Sequence, residues 1–304
     1  MESFTLRPLG IPEIIDAAIR IIRRRTRPLV TIAAVVLVPI AIVQYFISRS
    51  LQAGVAGLQT ISPSADPNEV FEQMMESLGP LLVVSLTTGA IGWLAQLLVL
   101  LALTKAIVDI YLDRPPEWKE SLRYGLRRLP AAIGASVIAF IPLLVGFLLY
   151  VLPGVALATL WSLTGVAIAA EGRGPGAGLS RSFDLVKKRF WPMLGVLILS
   201  ILITVVIGLV IGLVIGAATI ATPTIQLEVQ TLLSTAISIF TTPFTAAILT
   251  VAYFDLRVRL EGFDLELMAQ STTDSPVPPA PEAPVFPPPP DDNDPFGLGR
   301  PGGP

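Results

Sequence analysis

The chain has 304 residues, 53% of them hydrophobic and only 14% charged, with a mean hydropathy of +0.72 and a net charge of −2. That is too apolar for an ordinary soluble domain. Cysteine and histidine are both absent, which excludes a disulfide framework, thiolate or imidazole metal sites, a Ser-His-Asp triad and a cysteine nucleophile.

Residues 1–28 read as a basic amphipathic helix. Ile11, Ile14, Ile15, Ala18, Ile19 and Ile22 recur at helical spacing, and Arg20, Arg23, Arg24, Arg25 and Arg27 fall mostly opposite them. The stretch is long and amphipathic, whereas the n-region of a cleaved signal is short. Such a helix either lies in the headgroup layer or docks on the protein's own cytoplasmic face.

Six apolar spans are expected within residues 29–262, since about 20 apolar residues cross a bilayer core. They fall at 29–47, 81–103, 131–150, 154–170, 193–221 and 232–254. After the first span comes a loop with four acids, in which Asp66-Pro67-Asn68-Glu69 has the form of a helix start. A short amphipathic helix over Val70–Leu78 is expected there. The helix of the second span should run on through Lys105 and Asp109, an i,i+4 pair, to Leu112. A basic helix follows Pro115-Pro116, and its Trp118 and Tyr124 suit a membrane interface. Spans three and four form a tight hairpin around Val151-Leu152-Pro153. Residues 171–190 return to the basic side.

Orientation follows from counting. Six spans put 20 of the 21 lysines and arginines on one side and leave Arg49 alone on the other. The positive-inside rule then places both termini in the cytoplasm. From 271 to 304 the chain is Pro-rich and acidic (Asp274, Glu282, Asp291, Asp292, Asp294 against Arg300), a composition that buries no core and favours a disordered tail. The low net charge belongs to that tail. The fold class is therefore an all-α polytopic bundle of six transmembrane helices with cytoplasmic interfacial helices.

Three segments share a shape: a basic amphipathic helix ends at Pro28, Pro130 or Pro192, and a pair of spans follows. They read either as three repeated helix-plus-hairpin units or as convergent span starts. Gly208, Gly212 and Gly216 form a ladder at spacing four, which packs against a neighbouring span of the same chain or against a second copy to make an oligomer.

The candidate site is a charge cluster at the cytoplasmic ends of the helices: Asp16, Arg20, Glu171, Arg181, Asp184, Asp255 and Arg257. Asp16 and Arg20 stand at i,i+4, and Asp255 lies beside Arg257. Ion-pair tethering between interfacial helices and span ends is one reading, and contact with an anionic lipid headgroup is the other. No charge lies at mid-membrane, where it would mark a transport path. The deepest polar residues are Gln44, Gln96 and the Ser/Thr of span six. No cofactor or metal is expected and no nucleic-acid partner, because basic residues beside spans meet anionic phospholipid first.

These residues carry a resemblance. Glu13-Ile14-Ile15-Asp16-Ala17-Ala18-Ile19-Arg20 with Arg23-Arg24, Pro153-Gly154, Glu171-Gly172, Leu179-Ser180-Arg181-Ser182 with Trp191, Pro243-Phe244, and Asp255-Leu256-Arg257-Val258-Arg259 with Glu261-Gly262 resemble the glycerophosphoryl diester phosphodiesterase membrane-domain family of bacteria. The resemblance covers roughly residues 6–268, and Ile22 stands where that family usually has an aromatic. Some members fuse this domain to a separate catalytic barrel. This chain has no histidine and no room for a barrel, so the resemblance implies a standalone membrane domain in an envelope or lipid-related setting. The expected function is a non-enzymatic scaffold or accessory subunit with a membrane or cytoplasmic protein partner. A transporter or lipid translocator is the alternative. A lipid-modifying enzyme comes third, and it requires Asp16, Glu171, Asp184 or Asp255 to converge on one pocket.

Overall fold

A computed structural model of the protein describes residues 9–55, 66–112, 114–220 and 226–262. The Pro-rich tail over 271–304, Arg7 and the loop residues 56–65 and 222–225 lie outside the described residues. Those described form α-helices throughout: α1 (Ile11–Arg24), α2 (Thr26–Val55), α3 (Pro67–Tyr111), α4 (Trp118–Leu149), α5 (Val151–Leu160), α6 (Thr164–Glu171), α7 (Pro175–Val186), α8 (Phe190–Ile220) and α9 (Gln226–Glu261). A 3-10 turn, Lys187–Arg189, joins α7 to α8. Among the described residues six stretches are long and apolar enough to cross a membrane: Thr26–Ser50, Leu78–Tyr111, Trp118–Leu149, Val151–Glu171, Pro175–Val210 and Gln230–Glu261. Each overlaps one expected span; the third stops one residue short of position 150, and the fifth starts earlier than 193 and ends at Val210, short of 221. In a bilayer only a helix or a closed barrel satisfies every backbone group internally, so apolar runs of this length become helices.

Several boundaries differ from expectation for physical reasons. Asp66 caps α3, its carboxylate accepting the Asn68 N–H at 2.9 Å. The expected short helix over Val70–Leu78 is not separate, because α3 runs through Pro80 directly into the second span. Nor do the basic helices all end at their prolines. The first ends at Arg24, and Pro28 sits in the opening turn of α2. The second continues through Pro130, which is inside α4. The third passes through the 3-10 turn, with Pro192 as the third residue of α8. Proline costs a helix one donor, and three different settings absorb that loss in three ways.

The fourth span is broken. Residues Trp161–Leu163 form a turn between α5 and α6. Thr159, Ser162 and Thr164 crowd this point, and such hydroxyls compete with the helix for backbone groups. The Ser162 hydroxyl donates to the Thr159 carbonyl at 2.7 Å, and the Thr164 N–H turns to Trp161 O at 3.1 Å. Two backbone groups thus lose their helical partners. Buried Ser182 of α7 replaces both, accepting the Leu163 N–H at 3.1 Å and donating to Leu160 O at 2.7 Å. Gly172, at φ 67°, then ends α6 in the left-handed region that favours glycine, and α7 turns back along α6.

The core gathers around the C-terminal half of α9, where Ala246, Ala247, Ile248, Val251 and Tyr253 are fully buried. It packs against α1, α2, α3 and α8. The amphipathic α1 is docked, not afloat: Ile14, Ile15, Ala17, Ala18 and Ile21 are buried while Arg20, Arg23, Arg24 and Arg25 are exposed.

Candidate functional site

The basic residues and carboxylates meet where α1, the first turns of α4, α6, α7 and the end of α9 come together. Glu171, the last residue of α6, is the hub. Its carboxylate accepts from Arg181 Nε and Nη2 at 2.9 and 2.8 Å, from Arg173 Nε and from the Tyr253 hydroxyl. The Arg181 guanidinium also donates to both oxygens of Glu261, through Nη2 at 2.7 Å and through Nη1. Arg257 joins from the next turn of α9, 3.2 Å from Glu261. One arginine of α7 thus ties the end of α6 to the end of α9. The side chains of Glu171 and Arg181 are each 14% exposed, so water screens this pair less than it would a surface pair.

A second node lies on the same helix. Asp255 accepts the Leu9 N–H at 2.7 Å and pairs with Arg259 at 2.9 and 3.0 Å, while Arg259 Nη2 donates to Leu9 O at 2.6 Å. This double latch fastens the segment before α1 onto α9. The partner of Asp255 is thus Arg259 and not its near neighbour Arg257. Residues four apart share a helix face, whereas residues two apart do not.

The remaining candidates stand elsewhere. Asp16 and Arg20 are exposed on α1, and among the described residues no ion pair within 4.0 Å joins them. Asp184 lies on the outer face of α7 with Lys187 at 2.6 Å. Lys105 and Asp109 do form the expected pair, at 2.5 Å. Of the seven cluster residues, the structure therefore joins Glu171, Arg181 and Arg257 into one network, puts Asp255 in a second, and leaves Asp16, Arg20 and Asp184 outside both. Sequence reasoning missed Glu261, Tyr253, Arg173, Arg259 and Ser182 as members. Ser182, Arg259 and Glu261 carried an advance signal as members of the short motifs at Leu179 and Asp255; Arg173 and Tyr253 carried none.

Tyr124 donates to the Ala169 carbonyl at 2.8 Å, and Arg128 donates to Gly172 O at 2.7 Å, which fixes the α6–α7 corner on α4. Gln44 donates to Thr88 O at 3.0 Å, and Gln96 is exposed. The span-six hydroxyls of Thr235, Ser238, Thr241 and Thr250 bond carbonyls of their own helix. Among the described residues, no three Asp or Glu side chains gather as a metal site would require.

Among the described residues, a Cβ added to Gly208 or Gly212 of the glycine ladder would meet nothing within 4 Å. The surroundings of Gly216 lie outside the described residues.

An all-helical bundle with six stretches long and apolar enough to cross a membrane defines a polytopic helical membrane protein. The chain belongs to the family described as Domain of unknown function (DUF7847), which matches residues 12–256. No curated protein matches it, and no solved structure does.

Proposed function

We propose that this is a non-enzymatic integral protein of the bacterial cytoplasmic membrane, a scaffold or accessory subunit in an envelope or lipid-related process, with both termini cytoplasmic. The observation that carries this reading is the saturation of the Glu171 hub. Its carboxylate receives Arg173, Arg181 and Tyr253 at once, which is the economy of a clamp. A general base or metal ligand needs an oxygen facing its substrate. The clamp rigidifies a platform whose rim carries the exposed Arg23, Arg25, Arg123, Arg127 and Lys188, a surface suited to anionic phospholipid. The likeness to the phosphodiesterase membrane domains supports the lipid-related setting.

Because the chain has no cysteine, orientation is tested with single-cysteine variants and an impermeant thiol reagent on intact cells. Asn68→Cys should label from outside, while Arg123→Cys and Ser275→Cys should label only after lysis. Labelling of Asn68→Cys and Ser275→Cys from the same compartment refutes the topology. For the role itself, purification from native membrane should recover a protein partner in fixed ratio. Lipid conversion in proteoliposomes that Glu171→Gln abolishes would replace the scaffold reading with an enzyme.

One observation favours the second reading, a transporter or translocator: the fourth span is discontinuous, and broken helices mark substrate sites in transporters. Here, however, Ser182 satisfies the freed backbone groups, and Gln44, Gln96 and the span-six hydroxyls do not converge. The scaffold reading accounts for both facts.

A further inference from the structure

A cleft of about 190 Å³ opens between the start of α1, the start of α8 and the end of α9. Its walls differ in character. Ile11 and Ile14 of α1 face Met193 and Val196 of α8 to make an apolar slot, while Arg189, Asp255 and Arg259 supply charge. Asp255 is already engaged by the Leu9 N–H and by Arg259, so that acid and base cancel. Arg189 does not share their fate. It is half-buried on the 3-10 turn, and its guanidinium has no hydrogen bond or ion pair among the described residues. The balance of the three charges is one uncompensated cation.

Position adds to composition. Arg189 immediately precedes the long apolar helix α8, at the border where a span meets headgroups. Trp191, two residues on and 77% exposed, belongs to the residue type that sits at that level. An anion here would have a guanidinium fork beside it and the apolar side chains of Ile11, Ile14, Met193 and Val196 across the cleft. A soluble phosphate would use only the first of these. A lipid phosphate with its acyl chain uses both.

We infer that the cleft between α1, α8 and α9 binds the phosphodiester of an anionic glycerophospholipid, with Arg189 on the phosphate and the Ile11–Met193–Val196 slot against the glycerol and upper acyl chain. A single net positive charge suits a headgroup that carries one net negative charge, as in phosphatidylglycerol, better than a zwitterion. This rests on the reading that the basic end meets an anionic leaflet. It goes further in naming a stoichiometric site in place of diffuse attraction.

The test titrates phosphatidylglycerol into the full-length protein in neutral detergent and counts bound lipid by native mass spectrometry. Arg189→Gln should weaken the first binding event roughly tenfold, the loss of one charge-assisted contact. Lys188→Gln removes the same charge one residue away, on an exposed side chain outside the cleft, and should weaken it by no more than about twofold. Equal losses in the two variants would mean diffuse electrostatics and would overturn the site. So would phosphatidylcholine binding as tightly as phosphatidylglycerol. Displacement of the lipid by sn-glycerol 3-phosphate or inorganic phosphate at matching concentration would assign the cleft to a soluble anion and equally overturn the proposal. Circular dichroism and partner recovery are recorded for both variants. Loss of lipid with the partner retained separates a failed cleft from a failed scaffold reading.

Discussion

The two ends of the bundle are built differently. At the basic end, α1, α3, α6 and α9 bury Ile21, Leu103, Ile168 and Tyr253 completely, and salt bridges lock the helix termini. At the opposite end, the tips of α4 and α5 and the outer part of α8 stand open, with Leu148 82% and Leu213 73% exposed. In lipid, exposure of leucine costs nothing, because hydrocarbon is as apolar as the side chain. Helices then associate where small residues allow close approach or where polar groups pair. Glycines show this directly. A Cβ on Gly125 would lie 3.2 Å from backbone atoms of Ala102 and Leu98, whereas one on Gly208 would meet nothing. Stability should therefore reside at the basic end, and the opposite end should tolerate change.

That contrast can be broken or sharpened by mutation, with unfolding of the detergent-solubilised protein followed by near-ultraviolet circular dichroism. Glu171→Gln should have the largest effect, about 3–5 kcal/mol, because it takes the shared carboxylate from part-buried Arg181 and from the hydroxyl of buried Tyr253. An unchanged melting midpoint would show that the hub contributes no stability. Ile21→Ala should cost about 3 kcal/mol by opening a cavity under the docked α1, and proteolysis should then release the N-terminal helix first. Retention of α1 under limited proteolysis would argue against its docking. Ser182→Ala should cost about 2 kcal/mol by stranding Leu160 O and Leu163 N–H at the break, while Ser182→Thr should restore part of it. Gly125→Val should destabilise by about 1–3 kcal/mol through overpacking between α3 and α4. Smallest of all, Leu148→Ala and Gly208→Val should each change stability by no more than about 0.5 kcal/mol. A large loss in either would show that the open end is covered in the membrane.

The candidate site was legible in part. Glu171, Arg181 and Arg257 stand out as charges beside apolar runs. Their joint use did not show, because Arg181 and Glu261 are 80 residues apart and Leu9 and Asp255 are 246 apart. No local pattern encodes such pairings. Spacing did predict Lys105 with Asp109, but the same spacing misled at Asp16 and Arg20, where an exposed pair gains too little to hold two flexible side chains together.

Sequence alone determined how many times the chain can cross a membrane, where the crossings fall, and which loops hold the positive charge. Those properties follow from the apolar content of a window and from the cost of placing charge in hydrocarbon, and neither depends on neighbours. Tertiary structure decided the rest: that α1 docks, that the fourth crossing breaks at Trp161–Leu163 with Ser182 filling the gap, that Asp255 chooses Arg259, and that the Gly208 face of α8 stays open. Each of these depends on how helices are rotated and which ends meet. That geometry is set by close contact between segments far apart in the chain.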